Sequence, residues 1–379
     1  MRIPLLTPQV ERIAARRIAA GTNGRRRRIP DRVNMPGLFD AAHLYPAGQT
    51  RPTLAYARAE PKPAYVISHE QPRPPEDIMR ELGLDFEADA WQQGSFEFAE
   101  HYHHTVIWPQ PRSEFLEQVR FKAPAAGTVI CFQGDGGSFC SDASLLPIQA
   151  MLVNAGYRVI SVDLRGQGMS TGRTRGWGVL DGQDVASLLN HLEQKERLAG
   201  TVGVLGLSYG AGVAIHAAAA DPRVRAVLSI APWGSMRRWL KAQLALVAQD
   251  DHRRLWRWSG WMCDDGFIDA AIDRAGALLG IDPDEADQAL AITRTQAAVM
   301  LVHGDEDKNC HVQESRRIHA ARPDGTQLVV YEGEDHASVL YRRWEDLRER
   351  CLNFFKQHLT SRDAAVAHDP AKDTSINRS

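Results

Sequence analysis

No apolar run in this chain of 379 residues approaches the roughly 18 residues that a membrane-spanning helix needs, so no membrane span is expected. A secretory h-region is missing as well, because Glu11, Arg12, Arg16 and Arg17 interrupt any apolar stretch near the start. Cysteine is scarce: Cys131, Cys140, Cys263, Cys310 and Cys351 are odd in number and have no CxxC spacing. That pattern excludes a zinc signature and reads as reduced thiols in a cytoplasmic protein; no cofactor is expected. Charge of one sign is also lacking. Lys and Arg total 45 against 47 Asp and Glu, which gives no reason to expect nucleic acid or an anionic surface as a partner. What the chain does have is 44% hydrophobic residues, ample for a buried core in one large domain with additions or two small ones.

Residues 1–93 read as an N-terminal extension, basic and then proline-rich, and partly disordered. Eight arginines in residues 1–28 face the single acid Glu11, with a short amphipathic helix plausible around Gln9 to Ala20. Nine of the twenty prolines lie between Ile29 and Pro75, so this part is expected to be extended and draped over the folded body. From residue 94 the patterns change. Ser95 to Tyr102 and Thr105 to Trp108 suggest an antiparallel pair at a sheet edge. His101 and His103 share a face there, but no carboxylate or cysteine cluster accompanies them, so they read as strand surface rather than metal ligands.

A repeating unit follows. Strands are expected at Thr128 to Phe132, Tyr157 to Val162, Thr201 to Leu207, Val224 to Ile230, Ala297 to Val302 and Thr326 to Tyr331. Helices are expected at about Ser144 to Ala155, Leu180 to Glu196 and Val339 to His358. Buried-type strands alternating with helices mean parallel crossovers, hence an α/β, doubly wound and mostly parallel sheet, with its site at the C-terminal strand ends. Residues 94–233 and 297–360 make this core. Residues 234–296 form a helical insertion with Trp239, Trp256, Trp258 and Trp261, a cap over the site, and 361–379 is a polar, disordered tail. Trp233, Trp239, Trp258 and Trp261 are the candidate substrate-pocket residues.

The chemistry concentrates at Thr201 to Ala220, where a buried strand meets a helix of small residues through GLSYG. Five letters alone are weak evidence. A strand before and a helix after are what a nucleophile elbow requires, with Ser208 on a strained corner and Gly206 and Gly210 allowing close approach. The Tyr209 N–H at the helix start then points toward an oxyanion. A serine hydroxyl needs a base, and the base an orienting acid. Asp307 in LVHGDEDKN and His336 in VVYEGEDHASVL each follow a strand, in the order Ser208, Asp307, His336. Asp305 and Asp335 are nearby alternatives, although Asp335 adjoins His336 and its side chain would diverge from the ring.

Residues from about 95 to 359 resemble the serine-nucleophile branch of the α/β-hydrolase superfamily. GLSYG resembles its elbow, HGDED its acid turn, EGEDH its histidine turn and DLRGQGMS its DxRGxGxS turn. The nearest likeness is to serine aminopeptidase-like and dipeptidyl-peptidase-like esterases. The resemblance implies the α/β-hydrolase fold, a Ser-His-Asp triad and an acyl-enzyme. A serine where related dehalogenases have an aspartate implies acyl transfer. The second oxyanion donor would be a backbone N–H of the loop QGDGG, Asp135 first and Gly136 next. A carboxylate at Asp135 would oppose an oxyanion unless it points away or is neutralised. The expectation is a serine hydrolase of a small-molecule carboxylic ester or related acyl bond. A serine peptidase, holding a free amine with Asp250, Asp251, Asp264 or Asp265, is the first alternative, and a non-catalytic hydrolase-like binding protein the second.

Overall fold

The computed structural model describes residues 12, 14–16, 43–46, 53–59, 126–135, 137, 145–167, 170, 174–194, 198–249 and 265–359. Six strands run parallel: β3 Thr128–Phe132, β4 Arg158–Asp163, β5 Val202–Leu207, β6 Val224–Ile230, β7 Ala298–Gly304 and β8 Thr326–Tyr331. With β1 His43–Pro46 and β2 Thr53–Ala59 they complete one eight-stranded sheet in the order β1-β2-β4-β3-β5-β6-β7-β8. β3 lies between β4 and β5, so the chain reverses its winding direction there. The crevice outside the C-terminal ends of β3 and β5 is therefore the place for a site.

The apolar character of the central strands follows from burial on both faces. Along β3 the alternation sends Ile130 and Phe132 into a core shared with α2 (Val179–Gln194) and α3 (Tyr209–Ala220). Val129 and Cys131 enter the opposite core with α1 (Leu146–Asn154) and the C-terminal helix. Each such side chain, fully buried, contributes roughly 1.5–3 kcal/mol, and a slip of one residue would exchange the two faces, so the register is strongly specified.

The stretch at residues 29–75 differs from the expectation by contributing an antiparallel pair to the sheet edge. The pair is made by β1 and β2, inside the stretch expected to drape over the body, and β2 pairs with β4 from Ala55↔Asp163 to Ala59↔Val159. Proline is compatible with this place because an edge strand leaves N–H groups outside the ladder: Pro46 closes β1 and Pro52 precedes β2. The strands expected at 95–108, with His101 and His103, lie outside the described residues, as does the tail at 361–379. Among the described residues no group of three His, Cys, Asp or Glu side chains is placed to hold a metal ion, and no helix is long and apolar enough to cross a membrane.

Between β6 and β7 the chain builds α4 (Met236–Gln249), α5 (Asp265–Leu279) and the short α6 (Gln288–Ala291). Arg237 joins three carboxylates, Asp269 and Asp273 of α5 and Asp284 beyond it, and Lys241 takes a second oxygen of Asp269. Single exposed pairs contribute little, but this network ties α4 to α5. Residues 250–264, with Trp256, Trp258 and Trp261, lie outside the described residues. After β7 comes α7 (Val312–Ala321). The closing helix, expected as one piece, is two: α8 (Val339–Arg342) and α9 (Trp344–His358), broken where Arg343 takes φ −111° and ψ 22°. Trp344, Leu347 and Phe355 are buried as the periodicity requires, while Leu352 is only half-buried and Phe354 takes a core place.

Candidate active site

β5 carries no side chain that prefers water, and the chain leaves it into α3 without a loop. Ser208 stands alone between them, with φ 54° and ψ −114°. A non-glycine residue at positive φ is strained, and such strain persists only where the surroundings enforce it. Here the enforcement is steric. A Cβ on Gly206 would collide with the Gly210 carbonyl, and one on Gly210 with the Phe132 carbonyl, so only glycines let strand, helix and β3 meet this closely. The Ser208 N–H is itself fixed by the Ile230 carbonyl at 2.8 Å.

Asp307 and His336 come together from the ends of β7 and β8. His336 Nδ1 lies 2.6 Å from Asp307 Oδ2, with the carboxylate fully buried and the ring mostly so. The other oxygen of Asp307 accepts the backbone N–H groups of Asn309, at 2.8 Å, and Cys310, at 2.9 Å. A second imidazole also contacts Asp307 Oδ2: His303 Nε2 is 3.1 Å away, while 2.6 Å separates it from the Cys310 carbonyl. A carbonyl cannot donate, so His303 carries its proton on Nε2 and its Nδ1 accepts from the Ser315 hydroxyl at 2.6 Å. Burial alone would push the Asp307 carboxyl up, but hydrogen bonds from His303 and His336, with the Cys310 N–H, hold it well below the usual carboxylate range. It is therefore an anion aimed at His336.

The competing acids are spent elsewhere. Asp305 accepts the Gly333 N–H at 2.8 Å, and Asp335 accepts the N–H groups of Ala337 and Ser338 ahead of α8. Of the three, Asp307 is the one that meets His336. The Cys310 thiol lies near the Ser208 hydroxyl and the Trp239 indole. Burial, then the charge of Asp307, pushes that thiol far up its scale, so it stays protonated and inert as a nucleophile.

Tyr209 opens α3 and its ring is buried. Its hydroxyl donates to Asp181 Oδ2 at 2.7 Å and accepts the Trp177 N–H at 2.8 Å. Trp177 itself sits at φ 49°, and Trp233 stacks on Tyr209 with centroids 6.3 Å apart and planes 12° from parallel. Trp233 thus supports the elbow, its indole N–H directed at the Tyr209 carbonyl at 3.4 Å. Trp239, reaching Cys310 beside the serine, is the tryptophan placed toward the nucleophile; Trp258 and Trp261 lie outside the described residues.

The loop QGDGG follows β3 directly, and Gly134 lies alongside Ser208. It turns on a Gly137 N–H to Gly134 carbonyl bond of 3.1 Å. Gln167 of the DLRGQGMS turn, its amide oriented to satisfy its surroundings, donates to the carbonyls of Gly134 and Gly137. Asp135 of this loop forms an ion pair with Arg175. Gly136 lies outside the described residues. Sequence reasoning missed Arg175, Asp181, His303, Gln167 and Cys310. His303, within HGDED, and Gln167, within DLRGQGMS, were within reach, whereas nothing local marks Arg175, Asp181 and Cys310.

The sequence model of the X-Pro dipeptidyl-peptidase (S15) family matches residues 56–255, more than half of the chain. The chain belongs to that family. It is accordingly a serine hydrolase of the α/β-hydrolase type. Among solved structures it is similar in fold to the Pyrococcus furiosus esterase Pf2001, with 18% identity and a TM-score of 0.50 over 62% of this chain and 83% of that one. It is also similar to an acylaminoacyl peptidase in complex with Z-Gly-Gly-Phe-chloromethyl ketone, with 13% identity and a TM-score of 0.50 over 86% of this chain and 42% of that one. At these identities the likeness speaks to the fold alone. No curated protein matches the sequence.

Proposed function

We propose that this S15 family member hydrolyses a carboxylic ester or related acyl bond of a small molecule, with Ser208 as nucleophile, His336 as base and Asp307 as the acid that orients it. The observation that carries the reading is the 2.6 Å contact of His336 Nδ1 with the buried Asp307 carboxylate. It leaves Nε2, on the far side of the ring, as the proton acceptor. The mechanism requires the Ser208 hydroxyl within hydrogen-bond reach of His336 Nε2, an arrangement that closes fully once substrate is bound. His336 takes the proton as Ser208 Oγ attacks the carbonyl carbon. The backbone N–H groups of Tyr209 and of the QGDGG loop, at Asp135 or Gly136, receive the oxyanion. His336 then protonates the leaving alcohol, and water resolves the acyl-enzyme by the same steps reversed.

The helices between β6 and β7 act as a cap, and Trp239, beside Cys310, contributes to the substrate pocket. Peptide cleavage, which the family's description suggests, is the second reading. It needs a free carboxylate for the substrate amine. Of the acids expected to hold that amine, Asp250, Asp251 and Asp264 lie outside the described residues and Asp265 is exposed at the start of α5, while Asp269, Asp273 and Asp284 are paired with Arg237 or Lys241, Glu285 with Arg294, and Asp287 with Arg317. Labelling with a fluorophosphonate, lost in Ser208→Ala, tests the nucleophile, and kcat on p-nitrophenyl acetate should fall about 10⁶-fold in that variant. A variant that keeps near-normal turnover would reject the assignment. Faster cleavage of X-Pro p-nitroanilides than of p-nitrophenyl esters would favour the peptidase.

A further inference from the structure

Arg175 sits on the loop that enters α2, and its side chain is 7% exposed. Its guanidinium does two things at once. It pairs with the Asp135 carboxylate, and its Cζ lies 4.9 Å from the centroid of the Tyr209 ring. Those two residues supply the backbone N–H groups assigned above to the oxyanion, one from the loop after β3 and one from the start of α3. We propose that Arg175 is a positioning residue for the oxyanion hole, cancelling the Asp135 charge that would otherwise oppose the developing oxyanion and docking the loop onto the elbow. This rests on the serine-hydrolase mechanism proposed above.

A buried guanidinium loses its hydration, and a pair of this kind is often no more stable than apolar side chains of the same volume. Stability alone therefore does not account for Arg175. The surroundings hold it in place. Trp177 and Gly178, the residues just beyond it, both take positive φ, at 49° and 80°. The Trp177 N–H is bound by Tyr209 Oη, and the Gly178 N–H by Asp181 Oδ2 at 2.9 Å. Asp181 in turn attracts the guanidinium. The neighbouring Arg165 is committed to Asp184, at 2.7 Å through two nitrogens, which leaves Arg175 aimed at Asp135. On the electrostatic side, one uncompensated carboxylate within several ångströms of an oxyanion, at an effective dielectric near 20, slows its formation on the order of ten- to a hundredfold.

A cycle of four proteins tests this: the full-length wild type, Arg175→Met, Asp135→Asn and the double variant, each assayed for kcat and KM on p-nitrophenyl acetate and for Tm. Arg175→Met should lose about ten- to a hundredfold in kcat with KM changed by less than about threefold. Adding Asp135→Asn should restore kcat to within about fivefold of wild type, because the neutral amide no longer opposes the oxyanion. A purely structural arginine predicts no such rescue, so a loss that persists in the double variant overturns the proposal. Should Arg175→Met fail to fold, the charge-keeping Arg175→Lys decides: kcat within about fivefold of wild type supports the proposal, and a fall of more than that overturns it. An active wild type with strictly additive variants sinks this inference while leaving the hydrolase reading intact. A wild type that neither turns over the ester nor takes up fluorophosphonate sinks both.

Discussion

Replacing Asp307 by asparagine should separate the orienting charge from the shape of the site. Asp307 Oδ1 accepts two backbone N–H groups, and an amide oxygen placed there keeps both. The amide nitrogen then occupies the position of Oδ2, where it faces two imidazole nitrogens, His336 Nδ1 at 2.6 Å and His303 Nε2 at 3.1 Å. Two donors cannot face each other, so one ring must change tautomer. His303 is held by the Cys310 carbonyl and the Ser315 hydroxyl, and the less constrained ring is His336. Its proton moves to Nε2, the nitrogen that accepts from Ser208 in the proposed mechanism. The expected result is a fall in kcat of about 10⁴-fold, equivalent to roughly 5 kcal/mol of transition-state stabilisation, with KM little changed. Steady-state hydrolysis of p-nitrophenyl acetate, with protein titrated by fluorophosphonate, measures it. A kcat within tenfold of wild type would refute the reasoning, because Asp307 would then not set the His336 tautomer.

Two stability predictions accompany it. Tyr209→Phe removes the hydroxyl that bridges Asp181 and the Trp177 N–H, leaving both buried groups short of a partner; it should cost about 2–4 kcal/mol in urea unfolding, and a loss under 1 kcal/mol would show that the bridge contributes little. His216 is buried, and burial lowers its pKa from 6.5 to about 4, outweighing the attraction of Asp287 and Glu285. Its folded value is below its unfolded one, so the unfolded chain takes up the proton first. The stability it contributes is complete above pH 6.5 and drains away as the pH falls toward 4, about 3 kcal/mol in all. His216→Gln should flatten that part of the stability profile, and an unchanged profile would disprove the assignment.

Much of this molecule is legible in one dimension because its determinants are local. A strand buried on both faces must be apolar, so the central strands stand out, and their ends fall within a residue or two of the expectation. The elbow is legible for a related reason. Two backbone segments that meet this closely tolerate only glycine, and the glycines bracket Ser208 at fixed offsets. The edge hairpin was not legible in the same way. Residues 43–59 carry no strong strand pattern, and what makes them strands is the free edge of β4.

The sequence by itself therefore determined the parallel sheet, the strained serine at its centre, and the three residue types placed at strand ends in hydrolase order. Tertiary structure decided which carboxylate serves His336, because Asp305, Asp307 and Asp335 differ in what each already holds and hardly at all in local pattern. It also decided that Asp135 is paired with Arg175. The physical reason is range. Hydrophobic periodicity and glycine sterics act between near neighbours in the chain, whereas an ion pair or a side-chain hydrogen bond depends on which distant segments the packed sheet happens to bring within a few ångströms.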